Sequence, residues 1–225
     1  MTSSTSSSQG KSVSCPCCGK AVAVDITTVL RPGDAKLTAL LAGTLNRAAC
    51  PACKTEFLVD APLVYVDAET CFIACLREPP EDGNTEPVEL EVDCLATEVF
   101  SQENLERPVV RLAFTYPDFI EKIQLRALGY DDRLIEYAKY QLYQNIGEDR
   151  LSKFQHKLLL DFSNRDAEKL VFIVYDRETN TPISVVHVPM EDYQTLVREF
   201  AENPAMLEEL DAVFPTCHVC VDRLI

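Results

Sequence analysis

Apolar and polar residues alternate along four stretches of the first 76 residues, with the period of two that is typical of half-buried strands. The predicted strands cover residues 21–26, 55–59, 62–67 and 70–76, the last two as a hairpin that extends the sheet. Between the first two strands, Asp34 is an N-cap candidate and Gly43 can end a helix. Three leucines between these residues share one helical face: Leu37, Leu40 and Leu41. The pattern therefore predicts a small sheet with a short inserted helix.

The apolar period changes to that of a helix after residue 117. Helices are predicted over 118–128 and 132–146, the second capped by Asp131 or Asp132. Its predicted buried face consists of Leu134, Ile135, Ala138, Leu142 and Ile146. Strands then follow at 157–162, 170–175 and 183–188, and a helix at about 191–201. This order predicts an α+β protein that ends in a small antiparallel sheet crossed by a helix.

Charge narrows the range of partners. The chain has 225 residues, with 21 basic against 36 acidic side chains and a net charge of −15. Residues 1–80 are balanced, with seven charges of each sign, so the excess negative charge lies downstream. Such a surface repels phosphate backbones, which disfavours nucleic acid as a partner.

Two kinds of segment are missing from the sequence. No uncharged apolar run approaches the ~18 residues of a membrane span, and the serine-rich start lacks the apolar core of a signal peptide. A cytoplasmic protein without membrane association is therefore expected.

The glycines are too widely spaced for a dinucleotide fingerprint or a P-loop. No catalytic residue and no residue that binds an organic cofactor is assigned, and the sequence favours a non-enzymatic protein.

The spacing of the cysteines gives the clearest indication of a functional site in the sequence. Cys15-Pro16-Cys17-Cys18-Gly19 and Cys50-Pro51-Ala52-Cys53 are two Cys-Pro-x-Cys units with 31 residues between Cys18 and Cys50. In an intracellular chain, paired units of this kind indicate a metal site before disulfides. Two such turns supply four thiolates, which suits tetrahedral Zn²⁺. The predicted ligands of a structural zinc ion are Cys15, Cys18, Cys50 and Cys53.

Two alternatives to this ligand set stay open. Cys17 lies inside the first turn and could replace a neighbour as a ligand, although its position favours a bystander. An Fe–S cluster or a redox pair would also use cysteines at this spacing.

The residue after each turn differs between the two units. The first turn is followed by Gly19. The second is followed by Lys54, at a position where a chain often needs positive φ, so a modest cost in strain is expected there.

These motifs resemble those of the CpXC family, which is named for its paired cysteine units. The resemblance extends beyond the cysteines to five further segments: residues 40–46, residues 62–67, the strand after them, and the runs 119–123 and 131–136. It covers about residues 13–146 and implies an intracellular prokaryotic protein with a metal-binding zinc ribbon. It implies no established biochemical activity. The chain departs from the family pattern at Lys54, in an acidic insertion after Pro79, and in a C-terminal extension.

A domain organisation follows from the motifs and the resemblance together. The first segment is expected to be a disordered tail, and the second is the zinc-ribbon module with its inserted helix. An acidic insertion or linker, a helical part of the CpXC region and a small α+β unit come next. In that order, the predicted boundaries of the five segments are 1–12, 13–78, 79–107, 108–146 and 147–225.

A third cysteine pair, Cys217 and Cys220, lies near the C-terminus. Three interpretations stay open: buried thiols without chemistry, a redox-active pair, or a second metal site completed by His218 or a distant thiol. In the first of these, an apolar tail docks against the sheet and buries the thiols.

For the whole protein the sequence favours a protein-interaction or regulatory module that binds a protein partner. The alternatives are a nucleic-acid-associated zinc ribbon and a thiol-redox enzyme.

Overall fold

A computed structural model describes residues 8–100, 107–164 and 166–224. These residues form an α+β structure with six α-helices and several small sheets. The chain divides into two compact units, Met1–Ile120 and Glu121–Ile225. The predicted helical segment 108–146 is therefore shared between the units. The described residues contain no helix that is long and apolar enough to cross a membrane.

Each cysteine turn closes its own antiparallel hairpin. Strands β1 (Ser8–Ser14) and β2 (Ala21–Thr27) flank the first turn, and β4 (Arg47–Ala49) and β5 (Glu56–Leu58) flank the second. Residues 8–12, for which the sequence predicts a disordered tail, instead pair with β2, and residues 1–7 lie outside the described residues. The two hairpins form separate two-stranded sheets.

The predicted inserted helix is present as α1 (Ala35–Leu41), which follows the short strand β3 (Val29–Leu30). Gly43 has a φ of 65° just after the helix, where a glycine commonly ends one. Asp34 precedes α1, but its carboxylate accepts the backbone N–H of Arg31 at 2.9 Å and makes no side-chain cap with the helix. This aspartate therefore closes the turn before α1.

The predicted hairpin is formed by β6 (Leu63–Asp67) and β7 (Phe72–Leu76). It does not extend the sheet of the cysteine turns. Instead it lies in a four-stranded sheet of order β3-β6-β7-β8, in which β8 (Val109–Ala113) pairs parallel to β7. All five residues of β7 are buried, as is typical of a central strand covered on both faces.

A 15-residue helix, α2 (Glu86–Phe100), lies in the segment 79–107 that the sequence presents as an insertion or linker. Its buried residues include Val92, Ala96 and Phe100, which recur every four positions, while acidic residues fill much of the exposed surface. The helix contacts β8. The acidic composition of this segment suggested an insertion or linker, but the segment contains a packed amphipathic helix. Residues 101–106 lie outside the described residues.

Two helices lead into the second unit. Helix α3 (Tyr116–Ala127) contains the boundary between the units, and α4 (Asp132–Asn145) follows it. Asp131 caps α4 by accepting the backbone N–H of Arg133 at 3.0 Å, as predicted.

The second unit contains the predicted antiparallel sheet. Its strands are β9 (His156–Leu160), β10 (Lys169–Asp176) and β11 (Pro182–Pro189), in the order β11-β10-β9. Helices α5 (Met190–Glu202) and α6 (Pro204–Val213) follow, and α5 packs against both β10 and β11. One large apolar core joins this sheet to the helices. Its largest fully buried side chains include Phe172, Leu158 and Leu210.

The end of the chain packs into the same core. Val219 and Val221 are buried, and a short 3-10 turn at Val221–Arg223 contacts α4. The predicted docking of an apolar tail is therefore present, although the contact includes a helix as well as the sheet core. Cys217 is buried and Cys220 is half-buried.

Candidate metal centre

The first cysteine turn is held by two backbone hydrogen bonds. The N–H of Gly19 donates to the carbonyl of Cys15 at 2.9 Å, and the N–H of Cys15 donates to the carbonyl of Lys20, also at 2.9 Å. Gly19 has a φ of 70°, the left-handed conformation that the sequence predicts there. This geometry brings Cys15 and Cys18 to the same side of the turn.

The second turn repeats this arrangement residue for residue. The N–H of Lys54 donates to the carbonyl of Cys50 at 2.9 Å, and the N–H of Cys50 donates to the carbonyl of Thr55 at 2.9 Å. Lys54 has a φ of 64°, which confirms that a non-glycine residue here adopts the left-handed conformation. Two local sequences of the same kind therefore form two equivalent turns.

The two turns face one another and bring their cysteines together. The Sγ atoms of Cys15 and Cys53 lie 3.6 Å apart, and those of Cys18 and Cys50 also lie 3.6 Å apart. All four Sγ atoms lie within 4.8 Å of one another. The four cysteines predicted as ligands therefore form a single cluster that could hold a metal ion.

The spacing of the sulfur atoms fits a small tetrahedral ion. A tetrahedral site with metal–sulfur bonds of ~2.3 Å places its sulfurs ~3.8 Å apart. The two measured separations of 3.6 Å are close to that value. Cys15 and Cys50 are buried while Cys18 and Cys53 reach the surface, and partly buried apolar side chains, including Phe57, pack against the buried pair. The donor set, its geometry and its apolar support all fit a structural metal site.

Hydrogen bonds in the second turn favour thiolates. The hydroxyl of Thr55 lies 3.3 Å from the Sγ of Cys53, and this hydroxyl and the backbone N–H of Thr55 lower the pKa of Cys53 to about 6. The backbone N–H of Cys53, followed by that of Ala52, lowers the pKa of Cys50. The turn therefore stabilises the negative charge that a metal ligand carries.

Cys18 of the first turn shows the opposite effect, because neighbouring thiols cannot all lose a proton without repulsion. The backbone N–H of Lys20 lowers the pKa of Cys18, but desolvation and hydrogen bonds with the other three thiols outweigh it and raise that pKa to about 12. A cation at the centre of the cluster would remove this repulsion, since it pairs with each thiolate.

Cys17 is exposed and does not belong to the cluster. Among residues 8–100, 107–164 and 166–224, the four cysteines are the one group of three or more His, Cys, Asp or Glu side chains with metal-ligand spacing. Cys217, His218 and Cys220 therefore do not form a group of that kind.

Cys75 is a buried cysteine outside the cluster. Burial raises the pKa of its thiol to about 11, which favours the protonated, unreactive form.

The sequence reasoning missed a second cluster, made of buried charges in the second unit. Its five members lie on α3 and α4: Glu121, Lys122, Asp132, Glu136 and Lys139. The Nζ of Lys139 lies 2.6 Å from Glu121 Oε2 and 3.1 Å from Glu136 Oε1. The Nζ of Lys122 lies 2.8 Å from the same oxygen of Glu136 and 3.2 Å from Asp132. Each ammonium thus bridges two carboxylates.

The second oxygen of each glutamate in this cluster accepts a backbone N–H. Glu121 Oε1 accepts the N–H of Leu160 at 2.7 Å, and Glu136 Oε2 accepts the N–H of Val221 at 3.0 Å. Burial raises the pKa of Glu121 above its ordinary value, while at Glu136 the two lysines outweigh burial and lower the pKa. The cluster ties both helices to β9 and to the C-terminal turn. The charged residues interrupt apolar helix faces in the sequence, but only tertiary packing shows that they are buried.

Two equivalent cysteine turns that converge on four sulfurs, within an α+β chain, define a protein with a candidate metal-binding cysteine cluster. A sequence model described as "CpXC protein" matches residues 13–139. The match covers more than half of the 225 residues, so the chain belongs to the CpXC protein family. Neither a curated protein nor a solved structure gives a significant match. The matched region contains all four clustered cysteines and all five buried charges.

Proposed function

We propose that Cys15, Cys18, Cys50 and Cys53 hold one structural Zn²⁺ ion, and that the first unit is a zinc-dependent, intracellular protein-interaction or regulatory module. One observation carries the zinc assignment: two equivalent turns place four sulfurs within 4.8 Å of one another. Zinc is the ion that four thiolates at tetrahedral positions suit best.

The donor set favours a structural role over catalysis. A catalytic zinc site keeps one position open for water or substrate, whereas four cysteine ligands fill all four positions. The apolar side chains packed against the site include Val22, Val24 and Phe57, and none of them can act as an acid or a base. The metal is therefore proposed to hold the hairpins together.

Surface chemistry favours a protein partner over nucleic acid. Large apolar side chains are exposed on elements of the first unit, including Leu41 on α1, Leu58 on β5 and Leu90 on α2. Each of these side chains would lose its contact with water if a protein partner covered it. One of the basic side chains of this unit, Arg47, already donates a guanidinium N–H to the carbonyl of Gly43 at 2.9 Å. The net charge of −15 opposes a phosphate backbone.

Metal analysis of the reduced, chelator-free protein tests the zinc assignment. One zinc per chain is expected, together with loss of that zinc in Cys50→Ser. The matched control is Cys17→Ser, which removes an exposed cysteine of the first turn that lies outside the cluster and should leave the zinc in place. Iron and labile sulfide in the preparation, or no metal at all, would contradict the assignment.

Partner capture tests the interaction role separately. The intact protein should retain a defined protein from an extract of its own cells, and Cys50→Ser should lose it while Cys17→Ser keeps it. Leu58→Ser should weaken capture without loss of zinc, because the side chain is exposed on β5. Tight binding of labelled DNA or RNA near physiological salt would instead support the nucleic-acid alternative.

A further inference from the structure

Strand β11 forms one edge of the sheet in the second unit, with β10 as its neighbour on one side. The N–H of Met190 donates to the carbonyl of Glu168, which sets the alternation of the antiparallel ladder. By that alternation Ser184, Val186 and Val188 exchange hydrogen bonds with β10. The N–H and C=O groups of Val185 and His187 therefore point away from the sheet.

The opposite edge of the same sheet has an outward N–H that is already bonded within the second unit. Leu160 of β9 also points its N–H away from β10, but that N–H donates to the buried carboxylate of Glu121 at 2.7 Å. Exposed edges favour pairing with other chains, and proteins commonly cover or charge them for that reason. In this sheet the outward N–H of Leu160 on β9 is therefore bonded to a side chain of α3.

Side chains on β11 leave its edge accessible. Ile183 is 52% exposed and Val185 is 53% exposed. Residues 183–188 contain no Asp, Glu, Lys or Arg and no proline, although Pro182 and Pro189 stand at the two ends. An uncharged edge of this kind is a template for another strand.

We propose that a second copy of this chain pairs with β11 in an antiparallel dimer whose two-fold axis passes beside Val186. In that register Val185 of each copy lies opposite His187 of the other. The outward N–H and C=O groups of both residues are then used, for four backbone hydrogen bonds across the axis. The two sheets become one continuous six-stranded sheet. The proposal does not depend on the metal centre.

Charge and symmetry favour a second copy as the occupant. Two chains of −15 repel each other over most of their surfaces, so an uncharged strand is a place where they can meet. An isologous interface needs a self-complementary patch, and residues 185 and 187 each supply one donor and one acceptor. Strand pairing alone buries little area, so the dissociation constant is expected to be on the order of 10–100 µM. Raising the salt from ~0.1 M to ~1 M should tighten the dimer, since it screens the repulsion.

Sedimentation of the full-length protein between about 5 µM and about 500 µM tests the proposal. A monomer–dimer equilibrium is expected for the wild type, and Val185→Pro should raise the dissociation constant at least ~10-fold, because it removes an outward donor. Val185→Thr keeps that donor and should dimerise within a few-fold of the wild type. Circular dichroism and the protection of the Ser184 and Val186 amides show whether each variant retains its sheet.

Residue-resolved amide exchange of the wild type gives a test that needs no variant. Exchange at Val185 and His187 should slow ~5-fold as the protein passes from mostly monomer to mostly dimer, while Ser184 and Val186 stay unchanged. A monomer at every concentration would overturn the proposal, as would a dimer without this protection. A strand from another protein that protects these amides, while the purified chain stays monomeric, would also overturn it.

Discussion

Gly19 and Lys54 occupy equivalent positions after the two cysteine turns, with φ values of 70° and 64°. A β-carbon added at Gly19 would meet nothing within 4 Å. The cost of a side chain at that position is therefore conformational and involves no clash. The left-handed conformation costs an L-residue ~1–2 kcal/mol, so Lys54 carries strain that Gly19 avoids.

Lys54→Gly is predicted to stabilise the second cysteine hairpin by about 0.5–1 kcal/mol, and Gly19→Ala is predicted to destabilise the first by about 1–2 kcal/mol. The two substitutions form a matched pair, because they act on the same backbone position of equivalent turns. Competition with a zinc chelator measures both effects. Equal behaviour of the two variants would show that φ does not limit the stability of the centre.

Tyr143 gives a prediction for alkaline pH. Its hydroxyl donates to the carbonyl of His156 at 2.9 Å, and burial raises its pKa to about 12. An unfolded tyrosine ionises near pH 10, so the unfolded state loses a proton first. Because the folded pKa is the higher one, the stabilisation is complete below pH 10 and is lost as the pH rises towards 12. Unfolding free energy should therefore fall between these values, by up to ~1.4 kcal/mol per pH unit from this residue.

Tyr143→Phe checks this effect. The variant should lose ~1 kcal/mol at neutral pH, since the carbonyl of His156 loses one of its two donors and keeps Arg177 Nε, and it should show a shallower alkaline decline. Denaturant unfolding at pH 7, 10, 11 and 12 measures both quantities. An unchanged slope would show that Tyr143 ionises alike in the folded and unfolded states.

The buried charges join elements that are distant in sequence. Within the second unit they connect α3 and α4 to β9 and to the C-terminal turn. Three carboxylates and two ammonium groups are held together, so removal of one ammonium leaves buried negative charge without compensation. The backbone hydrogen bonds of Leu160 and Val221 depend on the same carboxylates.

Lys139→Met is predicted to cost about 3–5 kcal/mol of unfolding free energy, because Glu121 and Glu136 lose their shared cation. The double variant Glu121→Gln/Lys139→Met should cost about 1–3 kcal/mol less than the sum of the two single changes. Lys169→Met is the control, since Lys169 pairs with Asp166 at a partly exposed site and should cost less than ~1 kcal/mol. Additive single effects would show that the cluster does not act as a unit.

Local patterns predicted most of these elements, with boundaries that differ by a few residues. The antiparallel strands of the second unit and helix α4 with its Asp131 cap were predictable, because alternation and capping act within a few residues. Strands β3 and β4 are only two and three residues long, too short for a periodic signal. The parallel pairing of β8 with β7 depends on a partner more than thirty residues away, which spacing cannot indicate.

The candidate site was predictable for a related reason. Two turns of fixed spacing identify four cysteines, and the structure brings those four together. The sequence did not indicate that Cys15 approaches Cys53 and that Cys18 approaches Cys50, since those contacts arise between the hairpins. It also missed the buried charges, because a lysine or glutamate in an amphipathic helix is normally exposed.

The cysteine hairpins of the first unit have far less apolar core around them than the sheet of the second unit has. The buried residues packed around the cysteines are few: Cys15, Val22 and Cys50. The second unit has a core that joins its sheet, its helices and the C-terminal turn. Hydrophobic burial can therefore maintain the second unit, whereas we expect the hairpins of the first to depend on a crosslink or a bound ion.

Chelation under reducing conditions is predicted to unfold the two hairpins and to leave the second unit folded. Structural zinc contributes ~10–16 kcal/mol in small metal-binding modules, far more than the few buried residues around the cysteines can supply. Hydrogen exchange measured by mass spectrometry should show protection lost over residues 8–27 and 47–58, and kept over 156–176 and 190–213. Cys50→Ser should reproduce the chelated pattern without chelator, and Cys17→Ser should match the untreated protein. If chelation removes protection equally from all four segments, the two units unfold as one, and the metal supports the whole chain.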